Sequence, residues 1–263
     1  MFYDNFTPDQ VCGMFTFWHF MVLIIFAIVM TLALYFSRKM TQQQFHKLMV
    51  VVAFLITGME TIKIALKIAK HSNLNGWVPL YYCSLFIYAI WFSLSKRDFV
   101  RRMGYSYLVC GGIVAAGCYM LFPTTSLLIY PVWHPSSIYG FVFHWFMMYI
   151  GIMVAVKGLY QPKAKDFVNY LVFTTAATIL AVIINKATGS NLMILNYPFG
   201  LDFLMWVYNI SPVLYILVVY VAQSILMYWG VFGIIKLICH IHTKRQAKIE
   251  LKYEEDEPNL HEI

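Results

Sequence analysis

With 263 residues, 61% of them hydrophobic and only 12% charged, and a mean hydropathy of +0.68, the chain carries more apolar surface than a soluble fold can hide from water. That excludes a soluble globular enzyme and leaves a polytopic membrane protein. The net charge of +7 and pI near 9.1 do not indicate nucleic acid, because the Lys and Arg residues lie in short clusters between apolar runs, a pattern that reports topology.

The N-terminal segment carries Asp4 and Asp9 but no basic residue before the first apolar run. It lacks the basic start of a cleaved signal peptide, so the first span is expected to be retained. Runs long enough to cross about 30 Å of hydrocarbon fall near 14–36, 47–69, 79–95, 104–122, 137–156, 167–187 and 210–237. Turn residues separate them: N-L-N-G at 73–76, Pro123, Pro131, Pro135, Pro162, Asn196 to Pro198, and Pro212. The expected fold is therefore all-α, a polytopic bundle of seven transmembrane helices forming one domain over 1–243, followed by a charged, disordered cytoplasmic tail over 244–263.

Charge orients the spans. Fifteen of the nineteen Lys and Arg residues follow spans one, three and five or close the chain, while the loop from Pro123 to Ser136 has none. The positive-inside rule then places the N-terminus outside and the C-terminus in the cytoplasm.

Orientation turns sequence position into depth. Glu60 lies about 20 Å from the inner end of span two, Cys83 about 6 Å and His144 about 10 Å below the outer ends of spans three and five, at about 1.5 Å per residue. Asn185 stands at the outer exit of span six, Asn191 and Asp202 in the loop after it, and His19 one turn into span one. An ionisable group within a membrane is costly, so it faces the bundle interior and marks a site. Glu60 and Lys63, three apart on one helix face, have a second explanation in mutual pairing, with Lys67 snorkelling to the interface.

Cys83 follows Pro79, which suits a first helical turn, and a helix N-terminus favours the thiolate. Cysteine is equally a small apolar residue that packs between helices. A Cys nucleophile, a His base and amide donors at one level are the parts of acyl transfer through a thioester: His144 takes the thiol proton, Cys83 attacks an ester, and Asn185 or Asn191 donates to the oxyanion. The same residues also suit a polar transport cavity lined by Glu60, Lys63 and His144. Spacing alone does not choose. The five cysteines show no C-x-x-C pair, and His240 and His242 have no companion ligands, so no disulfide framework, metal or cofactor is expected. The aromatics are expected to serve as interface belt and core.

The P-L-x-x-C-S-L stretch from Pro79 to Leu85, the His within span five, and N-K-A-T-G-S-N-L-M-I-L-N-Y-P from Asn185 to Pro198 together resemble the YwaF and transmembrane protein 164 family of integral membrane proteins. The resemblance covers roughly residues 47–230. It implies an acyltransferase that moves a fatty acyl chain between membrane phospholipids and lysophospholipids, with Cys83 as nucleophile, His144 as base, Glu60 as the acidic residue of span two, and Asn185 and Asn191 as the polar exit of span six. Tyr81 and Ser84 stand where the family often carries a His and an Asp around its cysteine. The location this implies is a bacterial cytoplasmic membrane.

Overall fold

The computed structural model describes residues 6, 7, 10–69, 78–198 and 202–256, with side chains apart from 242 and 247–256. The chain is all-α. In order, α1 is Phe17–Ser37, α2 Gln42–Ala69, α3 Leu85–Ser93, α4 Asp98–Leu121, α5 Pro135–Val156, α6 Phe167–Thr188, α7 Asp202–Ile210 and α8 covers 212–256. Two of these helices loosen into a π turn, α4 at Tyr107–Gly112 and α8 at Ala222–Leu226. Among the described residues, six helices are long and apolar enough to cross a membrane. The exceptions are α3 and α7, of nine residues each.

Polar caps set several of the starts. Thr16 accepts the His19 N–H at α1, His134 Nδ1 accepts the Ser136 N–H with Pro135 opening α5, and Ser211 accepts the Leu214 N–H with Pro212 opening α8. Between the caps the pattern of a soluble protein is reversed. Trp18, Ile25, Ile28 and Phe36 of α1, Phe54 of α2, Ile183 of α6 and Leu237 of α8 are exposed, while Glu60, His144, Asn185 and Asn191 are buried. That distribution is stable only where the surrounding solvent is hydrocarbon.

The expected third span is shorter than its apolar run. Residues 81–84 form turns, and α3 starts only at Leu85, after Ser84 as N-cap. The N–H groups of Leu85, Phe86 and Ile87 reach back three residues rather than four, to Tyr82, Cys83 and Ser84. Tyr82 explains the difference: its side chain is drawn inward, its hydroxyl lying 2.5 Å from that of Tyr170, and its carbonyl also accepts the Tyr107 hydroxyl. Cys83 therefore precedes the helix instead of sitting one turn inside it. Further departures follow the span-six exit. α7 was not anticipated, and the boundary expected at 243/244 falls inside α8, which continues to Asp256. The N-L-N-G turn at 73–76 and residues 257–263 lie outside the described residues.

α3 and α4 form the tightest pair. A Cβ on Gly104 would lie 2.3 Å from the Ser93 nitrogen and 2.4 Å from the Ala89 oxygen, so glycine alone permits this backbone approach. The loops with the basic clusters meet at one end of the bundle. There Lys157 donates to the carbonyls of Arg38 (2.8 Å) and Met40 (2.6 Å), and Arg102 bridges Asp98 and buried Asp166. At the other end, where α4 finishes and α5 begins, the polar side chains gather.

Candidate functional site

α5 presents Ser137, Gly140, His144 and Met147 along its inner side, one or two turns apart. Because helical side chains lean toward the N-terminus, the His144 ring folds back over its own helix, and Nδ1 sits 2.7 Å from the Gly140 carbonyl oxygen. A carbonyl only accepts, so Nδ1 carries the proton and Nε2 keeps its lone pair. Nε2 is buried and has no hydrogen-bond partner among the described residues. An unpartnered acceptor in so apolar a place is costly.

The ring is also held in plane. Tyr119, in the last turn of α4, stacks on it with centroids 3.6 Å apart and planes 2° apart. The Tyr119 hydroxyl donates to Ser126 Oγ at 2.8 Å, and Ser126 donates to the Pro123 carbonyl at 3.2 Å. Tyr119 fits here because residue 140 is glycine: a Cβ there would lie 2.0 Å from the Tyr119 oxygen.

Cys83 is a free, half-buried thiol packed against the core. It does not hydrogen-bond to His144 Nε2. The structure therefore shows Cys83 and His144 as separate groups with no hydrogen bond between them. Catalytic hydrogen bonds are often open in an unliganded site.

Glu60 is buried and ion-paired. Lys63 Nζ is 2.6 Å from its Oε1, and the Tyr139 hydroxyl donates to Oε2. Lys63 also lies 5.1 Å from the centroid of the Tyr139 ring. The pairing that the three-residue spacing left open is therefore formed. Asn185, in the last turn of α6, and Asn191, on the buried turn that follows, hold that turn between them. Both recorded bonds of Asn185 go to the backbone of Leu192, and Asn191 donates to the Tyr197 carbonyl and accepts the N–H groups of Asn196 and Tyr197. That turn meets the Cys83 segment through α8. Gln223 donates to the Met193 carbonyl at 3.2 Å, and the Gln223 carbonyl accepts the hydroxyls of Tyr82 and Tyr170. A π turn leaves a carbonyl without its usual helical partner, which is what makes the Gln223 oxygen available.

The model of the TMEM164 family matches residues 14–232. The chain belongs to the TMEM164 family. No curated protein and no solved structure matches it. In this TMEM164 member, four contributors to the site escaped the sequence reading: Tyr119, Tyr139, Ser126 and Gly140. Gly140 had a legible signal, since it precedes His144 by four residues on the same helix face. The tyrosines had none, because 19 tyrosines spread along the chain do not reveal which one faces a histidine. Among the described residues, no group of three or more His, Cys, Asp or Glu side chains is arranged to hold a metal.

Proposed function

We propose that this TMEM164-family protein is a membrane acyltransferase that moves fatty acyl chains between phospholipids and lysophospholipids through a thioester on Cys83. The observation that carries the reading is the buried His144 ring, whose Nδ1–H is held by the Gly140 carbonyl and whose Nε2 lone pair has no partner. That is the state a general base needs.

In the first half-reaction, Nε2 takes the Cys83 proton and the thiolate attacks the ester carbonyl of a phospholipid. The start of α3, one residue beyond Ser84, sets helical N–H dipoles near the oxyanion that forms. Collapse breaks the ester C–O bond, and the His144 imidazolium returns its proton to the departing lysophospholipid oxygen. In the second half-reaction, Nε2 takes the hydroxyl proton of an acceptor lysophospholipid, whose oxygen attacks the thioester carbonyl. The C–S bond breaks and the thiolate recovers the proton. Asn185 and Asn191 support the site through the turn they hold, and Glu60 through Tyr139.

In this reading the 78–95 segment makes a short third crossing, which gives seven. The N-terminus faces outward, the basic loops face the cytoplasm, and the site opens to the outer leaflet of a plasma membrane. A transport cavity lined by Glu60, Lys63 and His144 draws less support, because Glu60 closes on Lys63 and Tyr139, and His144 on Gly140 and Tyr119.

The test is acyl exchange between labelled phospholipid and lysophospholipid in liposomes containing the purified protein. Cys83→Ser and His144→Ala are expected to abolish exchange while remaining monodisperse on size exclusion. Full turnover by Cys83→Ser removes the nucleophile assignment.

A further inference from the structure

We infer that Tyr119 is a positioning residue for His144, locking the imidazole in the plane that keeps Nε2 directed into the site. The inference rests on the acyl-transfer reading only for its kinetic consequence, since the orientation of the ring is a property of the resting protein.

Two restraints act on the His144 ring, and they fix different things. The Gly140 carbonyl, 2.7 Å from Nδ1, selects which nitrogen carries the proton. A single hydrogen bond leaves the ring free to swing about the Nδ1···O axis. Tyr119 removes that freedom, because a face-to-face contact at 3.6 Å and 2° is lost on any appreciable rotation. The restraint is stiff only if Tyr119 is itself fixed, and it is fixed on two sides. Ser126 Oγ accepts its hydroxyl at 2.8 Å and is tied in turn to the Pro123 carbonyl. On its other side the phenol oxygen occupies the space that any side chain at position 140 would fill. Gly140 thus serves both restraints, accepting the Nδ1 proton with its carbonyl and seating the tyrosine with its missing Cβ.

The arrangement also concerns charge. Positive charge develops on the imidazole as Nε2 takes a proton, and the face of a phenol ring attracts it. Histidines bonded to the i−4 carbonyl are common in buried helices. One clamped on its face by a residue that is separately anchored is prepared for a directional task.

The experiment compares Tyr119→Leu with Tyr119→Phe in full-length protein carrying 15N-labelled histidine, with His144→Gln used to assign the signal. Wild type is expected to show a single neutral tautomer protonated on Nδ1. The Phe variant should keep it, because the stack survives, whereas the Leu variant should show exchange-averaged nitrogen shifts. In the exchange assay the Leu variant should lose about tenfold or more in kcat with KM unchanged, a fraction of what general acid–base catalysis contributes, and the Phe variant should recover most of it. A Leu variant that keeps both the wild-type nitrogen shifts and wild-type kcat overturns the inference. The nitrogen shifts are read without turnover. If they change in the Leu variant while Cys83→Ser still exchanges acyl chains, the positioning role stands and the thioester reading falls.

Discussion

Asn185 grips the backbone of Leu192 with both ends of its amide, donating from Nδ2 to the carbonyl at 3.0 Å and accepting the N–H on Oδ1 at 2.8 Å. The turn it holds is buried from Ser190 to Met193 and passes through φ of 54° at Met193 and 59° at Ile194, the left-handed region usually left to glycine. Residues held there cost about 1–3 kcal/mol each and persist only when their surroundings over-determine them. Asn185→Ala removes two hydrogen bonds and strands the buried Leu192 N–H, while the Leu192 carbonyl keeps the Leu195 N–H at 3.3 Å. It should lower stability by about 2–4 kcal/mol, measured as unfolding in detergent micelles. Wild-type stability in that variant would mean that the turn does not depend on the amide.

The close approach of α3 and α4 at Gly104 gives a second prediction. All three atoms that a Cβ would strike, Ser93 N, Ala89 O and Phe92 C, are backbone, so no rotamer change relieves the overlap. Gly104→Ala should force the two helices apart and cost at least about 1–3 kcal/mol, as overpacking does. The check is loss of the monodisperse peak in fluorescence-detected size exclusion. Gly58→Ala, where a Cβ meets nothing within 4 Å, serves as the control and should be tolerated.

Glu60 and Lys63 should respond as a pair. Removing one member of a buried ion pair costs about 3–5 kcal/mol, and less is expected here because Lys63 is 31% exposed and partly screened by its surroundings. Lys63→Met alone leaves the buried Glu60 carboxylate without its 2.6 Å ion-pair partner, though it keeps the Tyr139 hydroxyl. The double variant Glu60→Gln/Lys63→Met should therefore be more stable than Lys63→Met alone. Thermal unfolding of the two single variants and the double one completes the cycle, and strictly additive effects would show that the pair contributes nothing.

Tyr82 and Tyr170 converge on the Gln223 carbonyl, with hydroxyl oxygens 3.2 and 2.8 Å from it and 2.5 Å from each other. Groups sharing one acceptor do not contribute independently. Tyr82→Phe and Tyr170→Phe should each cost about 1 kcal/mol, and the double variant should cost less than their sum. Tyr82→Phe should also make the Cys83 thiol react faster with a small maleimide, because it loosens the segment that carries it. An unchanged rate would separate the tyrosine cluster from the site.

Much of the fold was legible because hydrocarbon imposes a simple rule on sequence: about twenty apolar residues, internally hydrogen-bonded, with charge left at the ends. Spans five and six were read within two residues of their observed limits, since Pro135 and Gly189 mark where those helices start and stop. The third span was misread at its start. Its run from Pro79 to Ser95 is long enough to read as a span, and nothing local shows that Tyr82 would find Tyr170 and Gln223 across the bundle. α7 was missed because nine residues of mixed character after a turn carry too little periodic signal.

The site divides in the same way. Sequence supplied Cys83, His144, Glu60, Asn185 and Asn191, because a polar residue inside an apolar run stands out by its cost alone. It also supplied a charge asymmetry between the two ends of the bundle and the family to which the chain belongs. Sequence did not supply the partners. The pairing of Glu60 with Lys63 was within reach of their three-residue spacing, but that Tyr139 also donates to Glu60 and that Tyr119 clamps His144 are relations between different helices. They depend on close approaches at glycines and on carbonyls released by π turns. Hydropathy is a property of each segment by itself, so sequence determined which residues enter the membrane. Orientation and pairing are properties of segments packed against one another, so the tertiary structure decided which of those residues meet.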